Sequence, residues 1–295
     1  MIPAELDIPP DWEELDLSEL HGTLLVVGEP NAGKSSFSRY LYGRMNASRT
    51  RVALIDGDPG QATLGPPTTI TLALKLDGVP PGEMPDSSEF VRRSFIGSTT
   101  PYRHMLPMLV GAARLVSAAN QAGVETIVYD TCGLVQPDSG GLSLKQAKID
   151  LLRPETVFAI RNGHELDALL RPLRRSRRTR LVELAPSEYA RVRSMATRQA
   201  HRASQYRRYF SGSGVQRFNW SKLAVFPKPG FSPGRLVALE DRLGFTLALG
   251  VVVEVERTAR QVSLLTPLPS PDGVDAIQIG DIIIDTGTFH DRIIS

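Results

Sequence analysis

The sequence predicts an α/β fold, in which a parallel sheet flanked by helices is followed by a smaller β-rich part. Three observations carry this. Short, continuously apolar runs alternate with helix-length stretches from Thr23 to Phe210, the pattern of strands joined by helical crossovers. The first of these runs feeds a glycine-rich turn directly ahead of a helix. From Ser211 the text changes, and Gly and Pro punctuate short β-type runs.

Taken in order, Thr23–Val27 reads as a buried strand and Lys34 to about Arg44 as the helix after its turn. Val52–Ile55 and Phe90–Ile96 read as further strands, separated by a Pro-rich stretch, Gly78–Ser88, expected to be an exposed loop. Tyr102 to Ala122 carries apolar residues at helical spacing. Thr126–Tyr129 is a strand and Leu142–Leu152 a helix. Thr156–Ile160 and Leu181–Leu184 are strands with helices after each, the last being the basic stretch Ser187–Phe210. Beyond it, Leu223–Phe226, Leu236–Glu240, Thr246–Val255, Val262–Leu265 and Ile277–Ile284 read as β-type runs. The expected organisation is an acidic stretch over 1–21, a main domain over 22–210 and a β-rich domain over 211–295.

Composition narrows the class. Of 295 residues, 41% are hydrophobic and 22% charged, ordinary for a globular chain and incompatible with wholesale disorder. No window approaches the ~20 apolar residues of a spanning helix. The chain starts acidic, which argues against a secretory leader, and its one cysteine, Cys132, excludes an internal disulfide. A cytoplasmic protein is expected. The net charge of +2 conceals an asymmetry: residues 161–210 hold thirteen arginines against four acids, a local +9. Such a concentration suits either a polyanionic partner or a solvated basic face.

The strongest motif is Gly28-Glu29-Pro30-Asn31-Ala32-Gly33-Lys34-Ser35, matching G-x-x-x-x-G-K-[ST] between a strand and a helix. Glycines let consecutive amides face a phosphate, Lys34 supplies a point charge, and the Ser35 hydroxyl suits magnesium. A P-loop NTPase fold that binds a nucleoside triphosphate follows. The nucleotide-contact set is Gly28, Asn31, Ala32, Gly33, Lys34, Ser35 and Ser36, joined by Gln61. Asp56 and Asp58 lie after the second strand, at the carboxyl end where such sheets bind ligands. One acid there can hold magnesium or its waters, and another can accept a proton from an attacking hydroxyl. Asp130-Thr131-Cys132-Gly133 is a rival, because D-x-x-G after a strand is also how GTPases place a magnesium-linked acid. The Asn-Lys-x-Asp element that reads guanine is missing, since Lys148-Ile149-Asp150 follows Ala147.

Together these residues resemble the P-loop polynucleotide 5′-hydroxyl kinase family. Its members include kinase subunits of RNA 3′-end cleavage and tRNA splicing complexes and a ribosomal-RNA processing kinase. The chain looks like a compact prokaryotic member. Asp58-Pro59-Gly60-Gln61 is similar to the family's D-x-G-Q segment, and Gly97-Ser98-Thr99-Thr100-Pro101 to its G-x-T-[ST]-P segment. Thr131-Cys132-Gly133 resembles its T-x-G clasp, and the run from Arg198 through Arg202 and Arg207 to Phe210 its arginine-bearing lid. The resemblance implies ATP and Mg2+ as cofactors, Asp58 as general base, Lys34, Arg202 and Arg207 as catalytic charges, and Ser35, Asp56 and Asp58 around the metal. It implies that Thr99, Thr100, Thr131, Cys132, Gly133, Leu134 and Arg198 hold the 5′ end of RNA or single-stranded DNA, with no membrane role. One departure is Leu134, where the family's clasp often has a Trp that stacks on a base. The implied activity is transfer of the γ-phosphate of ATP to a 5′-hydroxyl. A nucleotide-binding scaffold with little catalysis and a GTPase-like switch are the alternatives.

Overall fold

The first strand, β1 (Gly22–Gly28), is buried from Thr23 onward and lies inside a seven-stranded sheet, next to its central strand. The structure is a computed structural model that describes residues 8–48, 51–74, 91–186 and 194–294. The elements in order are α1 (Pro10–Glu13), β1, α2 (Lys34–Ser48), β2 (Val52–Gly57), β3 (Thr69–Ala73), β4 (Val91–Phe95), α3 (Met105–Gln121), β5 (Thr126–Thr131), α4 (Gly141–Leu152), β6 (Thr156–Ile160), α5 (Asp167–Ser176), β7 (Arg180–Leu184) and α6 (Met195–Tyr209). A second sheet follows: β8 (Gly214–Asn219), β9 (Ala224–Phe226), β10 (Arg235–Glu240), β11 (Thr246–Glu256), β12 (Gln261–Thr266), β13 (Ala276–Ile284) and β14 (Asp291–Ile293).

The first sheet has the order β4-β3-β2-β5-β1-β6-β7. From β2 to β7 every pairing is parallel. The β2–β3 and β3–β4 pairings are antiparallel, so the sheet is parallel only in part. Asp58 to Thr68, between β2 and β3, is too short for the helical crossover that parallel neighbours require. Strand β3 escaped the sequence reading because Thr-Ile-Thr-Leu-Ala is brief and half polar by composition, although it is buried throughout.

Both faces of this sheet are covered, and side-chain alternation divides them. Leu25, Val27, Ile55, Ile127 and Val157 face α3, α4 and α5, whereas Leu24, Val26, Leu54, Val128 and Phe158 face α2 and the N-terminal segment. The acidic N-terminal stretch therefore contributes to the core. Trp12 of α1 packs edge-on against Phe37 of α2, with ring centroids 5.1 Å apart.

In the second sheet the order is β14-β13-β10-β11-β12-β8, with β9 added in parallel to β13. One face closes over Phe218, Phe231, Val237 and Ile277; the other packs Leu236, Leu249 and Ile282 against Phe95 of β4 and Tyr206 and Phe210 of α6. The basic helix is thus held between the two sheets. Its N-terminus is fixed by Ser194, whose side chain accepts a hydrogen bond from the Thr197 amide at 3.1 Å. The expected loop at Gly78–Ser88 and the start of the basic helix expected from Ser187 lie outside the described residues.

Candidate active site

The glycine-rich turn is built as an anion cradle. Asn31 and Gly33 take positive φ values of 64° and 89°, which curl successive amides toward a common centre at the N-terminus of α2. Gly28 has no room for a side chain, since a Cβ there would lie 2.6 Å from the Ile160 carbonyl oxygen. The Lys34 ammonium reaches back across the turn and donates to the Glu29 carbonyl at 2.6 Å.

Three acids stand at the carboxyl ends of β2 and β5, and each has a different setting. Asp56 is a brace. It accepts from the amides of Asp58, Thr63 and Leu64 and from the Thr63 hydroxyl, which folds the segment 58–64 around it. Burial pushes its carboxyl above the usual carboxylate range, against those hydrogen bonds. Asp58 turns the chain instead: its Oδ1 accepts from the amides of Gly60 at 2.9 Å and Gln61 at 3.1 Å. Asp130 is buried, and its Oδ1 has no hydrogen-bond partner. Burial is the main cause that raises its carboxyl from 3.8 to about 7. The charges of Asp56 and Asp58 add to this, while Lys34 and a hydrogen bond from Ser35 oppose it.

These groups open on a cavity of about 800 Å³. Asn31, Gly33, Lys34, Ser35 and Ser36 form its floor from the turn, and Asp58 and Gln61 one wall. Thr99 and Thr100 come from the loop after β4, and Cys132, Gly133 and Leu134 from the loop after β5. Arg198 and Arg202 reach it from α6. The structure thus brings most of the sequence-derived set together. It does not bring Arg207 to the cavity. That guanidinium donates to the Thr288 carbonyl at 3.0 Å and lies over the Phe289 ring. Nor does Thr131 line it: its hydroxyl donates to the Val26 carbonyl at 2.7 Å. Gly28 and Ala32 do not line it either, the Ala32 amide being turned to the Glu29 carbonyl, and Asp56 is consumed by its loop.

Several residues were not singled out from sequence. Thr63, Gln136 and Thr197 also line the cavity. Arg39 of α2 lies beneath the acids. Its charge acts on Asp56 and Asp130, and burial lowers its own pKa. Lys145 of α4 is fully buried and donates to the Thr131 hydroxyl at 3.2 Å and the Cys132 carbonyl at 2.7 Å. A signal existed for it. The buried stripe of α4 is Gly141, Leu144, Lys145, Lys148 and Ile149, so two lysines stand at core spacing.

Orphaned acceptors test whether magnesium and a nucleotide suit this chain. Asp130 Oδ1 and Gln61 Oε1 are both buried without a partner beside a cationic phosphate cradle. Among the described residues no group of three or more His, Cys, Asp or Glu could hold a metal alone. Magnesium held by one or two carboxylates plus phosphate oxygens needs no such cluster. The residues fit. Among the described residues no helix is long and apolar enough to cross a membrane.

Comparison with known proteins agrees with this geometry. Residues 28–212 match the family model described as mRNA cleavage and polyadenylation factor CLP1 P-loop. A polyribonucleotide 5′-hydroxyl-kinase of Thermococcus kodakarensis is 32% identical over 205 residues, covering 69% of this chain and 55% of that protein. One from Pyrococcus abyssi is 28% identical over 223 residues, covering 74% and 60%. The chain therefore spans little more than half the length of these curated relatives. A solved Clp1p–Pcf11p complex superposes with a TM-score of 0.66 at 13% identity, covering 92% of this chain and 77% of that one, which shows a shared fold. With the P-loop, the acids and the basic helix all inside the matched segment, this chain belongs to the CLP1 P-loop family.

Proposed function

We propose that this protein is an ATP- and magnesium-dependent polynucleotide 5′-hydroxyl kinase acting on RNA ends, with single-stranded DNA ends as a further substrate. The observation that carries the reading is the arrangement around the cavity. A phosphate cradle, the acid Asp58, the polar loop of Thr99 and Thr100, the loop of Cys132 to Leu134 and two arginines of α6 all line one cavity. Phosphoryl transfer asks for this: positioning and charge neutralisation, with little covalent chemistry from the protein. The relatives' names point to the same activity and to RNA.

In this reading the amides of the turn and Lys34 hold the triphosphate. Asp58, fixed by its turn, accepts the proton of the attacking 5′-hydroxyl. Thr99, Thr100 and the loop 132–134 hold the terminal nucleotide, and Arg198 and Arg202 stabilise charge on the transferring group. Ser35 and Asp130 would hold magnesium, directly or through its waters. When bound, the ion neutralises charge on the β- and γ-phosphates. Arg207 acts through the fold, by anchoring the end of α6.

The test is incubation with γ-labelled ATP and matched oligonucleotides, RNA and DNA, bearing a 5′-hydroxyl or a 5′-phosphate. Label on the 5′-hydroxyl strands alone is expected. Tight ATP binding with no transfer to any strand would replace the kinase by a nucleotide-binding scaffold. A hundredfold preference for GTP would replace it by a switch.

A further inference from the structure

Arg202 is not a free lid arginine. Its Nε lies 3.0 Å from both Oδ1 and Oδ2 of Asp291, a residue of β14 in the second sheet. The Asp291 side chain is 2% exposed and that of Arg202 18%. Among the described residues this is the ion pair the structure gives Asp291. Gripping a guanidinium at Nε leaves its two terminal nitrogens available, and Arg202 is at the same time part of the cavity lining.

Neighbouring contacts make the grip rigid. Asp291 faces Ile284 across the β13–β14 pair, and the aromatic ring of Phe289, two residues before it, stacks on Phe210 at 6.0 Å with an interplanar angle of 12°. The same hairpin meets the substrate-side loop. The Asp281 amide donates to the Gly97 carbonyl at 2.7 Å, and the Asp281 carboxylate lies 3.2 Å from His104 Nε2. One hairpin therefore braces both the lid helix and the loop that carries Thr99 and Thr100. An ion pair serving only to anchor the helix is a poor use of a buried charge, because apolar packing does that as well. Orientation of a planar guanidinium is something apolar packing cannot do.

We propose that Asp291 is a positioning residue of the active site. It holds Arg202 by its Nε and aims the terminal nitrogens into the nucleotide cavity, so the second sheet takes part in catalysis. This rests on the kinase reading, and it concerns a residue beyond the segment 28–212 matched by the family model.

The test is a double-mutant cycle with Asp291→Asn, Arg202→Ala and the pair together, reading kcat and KM for ATP at saturating 5′-hydroxyl oligonucleotide, and the thermal unfolding midpoint. Asp291→Asn is expected to lower kcat at least tenfold, in the range of losses seen when residues that orient ligating side chains are removed. In the Arg202→Ala background it is expected to cost nothing further in kcat. The double variant should regain unfolding temperature over Arg202→Ala, which leaves a buried carboxylate unpaired. A kcat for Asp291→Asn within twofold of wild type overturns the proposal, and so does a cost that multiplies in the double variant. Should Asp291→Asn fail to fold, Asp291→Glu keeps the charge and moves it by one methylene. Lost kcat with a held unfolding midpoint then supports the proposal, and unchanged kcat overturns it. If the wild-type protein transfers no phosphate, the kinase reading fails instead. The same cycle read on the affinity for ATP with magnesium then decides Asp291: a loss absent from the Arg202→Ala background supports it, and equal affinity of Asp291→Asn and wild type overturns it.

Discussion

Lys145→Met tests how the clasp loop is held, and its consequences can be worked out from the structure. The Lys145 ammonium is fully buried and ties the Cys132 carbonyl to α4, while Thr131, its second partner, is tied in turn to β1. Burial is the main cause that lowers the lysine from 10.5 to about 8, with Lys34 and Lys148 adding repulsion. At 1.36 kcal/mol per tenfold, that gap is a folding cost of roughly 3 kcal/mol at neutral pH. Methionine removes the cost but leaves the Cys132 carbonyl without its donor, about 1–3 kcal/mol in the other direction. Near-equal stability at pH 7 is expected. The pH dependence does not cancel. Between about 8 and 10.5 the unfolded chain keeps the proton that the folded chain has released, so wild-type stability rises with pH in that window. The methionine variant lacks this rise, and residues titrating in both proteins drop out of the difference. Urea unfolding of both proteins at a series of pH values from 7 to 10.5 should show the difference move by roughly 3 kcal/mol in favour of wild type. A difference that stays flat to within about 0.5 kcal/mol would refute the buried ammonium. In the kinase assay the variant should raise KM for the oligonucleotide more than KM for ATP, because the proposed function has the loosened loop holding the terminal nucleotide.

Asp58→Asn should lower phosphate transfer by about 10²–10⁴-fold while leaving ATP affinity near wild type, measured by initial rates and by equilibrium binding. Asp56→Ala should instead lose stability, by several kcal/mol, because three amides and a hydroxyl lose their acceptor; an Asp56 variant with wild-type unfolding would contradict the brace. The arginines at the end of α5 should matter little to short substrates. Strand β7 starts at Arg180 opposite Thr156, the amino end of the sheet, whereas the P-loop leaves β1 at its carboxyl end, where Gly28 lies opposite Ile160. Arg174→Ala, Arg175→Ala and Arg177→Ala are expected to keep KM for a short oligonucleotide within twofold, and a tenfold rise would place substrate across that far face.

What could be read from sequence follows from how local each signal is. The P-loop is eight consecutive residues, and its strand, turn and helix are all legible within them. The strands β1, β2, β5 and β6 were legible because burial on both faces makes their runs apolar, whereas β7 is a partly exposed edge strand marked only by Leu181, Val182 and Leu184. The sites that depend on distant chain segments were not. Thirteen arginines look alike as a charge run, yet the fold parts them: Arg198 and Arg202 enter the cavity, and Arg207 turns to Thr288. Helix geometry explains the split. Residues four apart are about 40° apart around the axis and share a face, whereas residues five apart diverge by about 140°. Arg198 and Arg202 therefore line the cavity together, with Arg202 also gripped by Asp291 of β14, while Arg207 diverges to Thr288 and Phe289. Asp291 carries no local signal at all, since it is an ordinary acid near a chain end until β14 pairs with β13 and sets it against α6. Basic residues on this helix can gather on one anion only if something else holds their backbone still. The second sheet does that through Tyr206, Phe210 and the Tyr209 hydroxyl, which accepts from the Leu249 amide at 2.9 Å. The β-rich part thus acts on the chemistry through the helix it supports, which is why a motif confined to the P-loop half accounts for the nucleotide but not for the aim of the arginines.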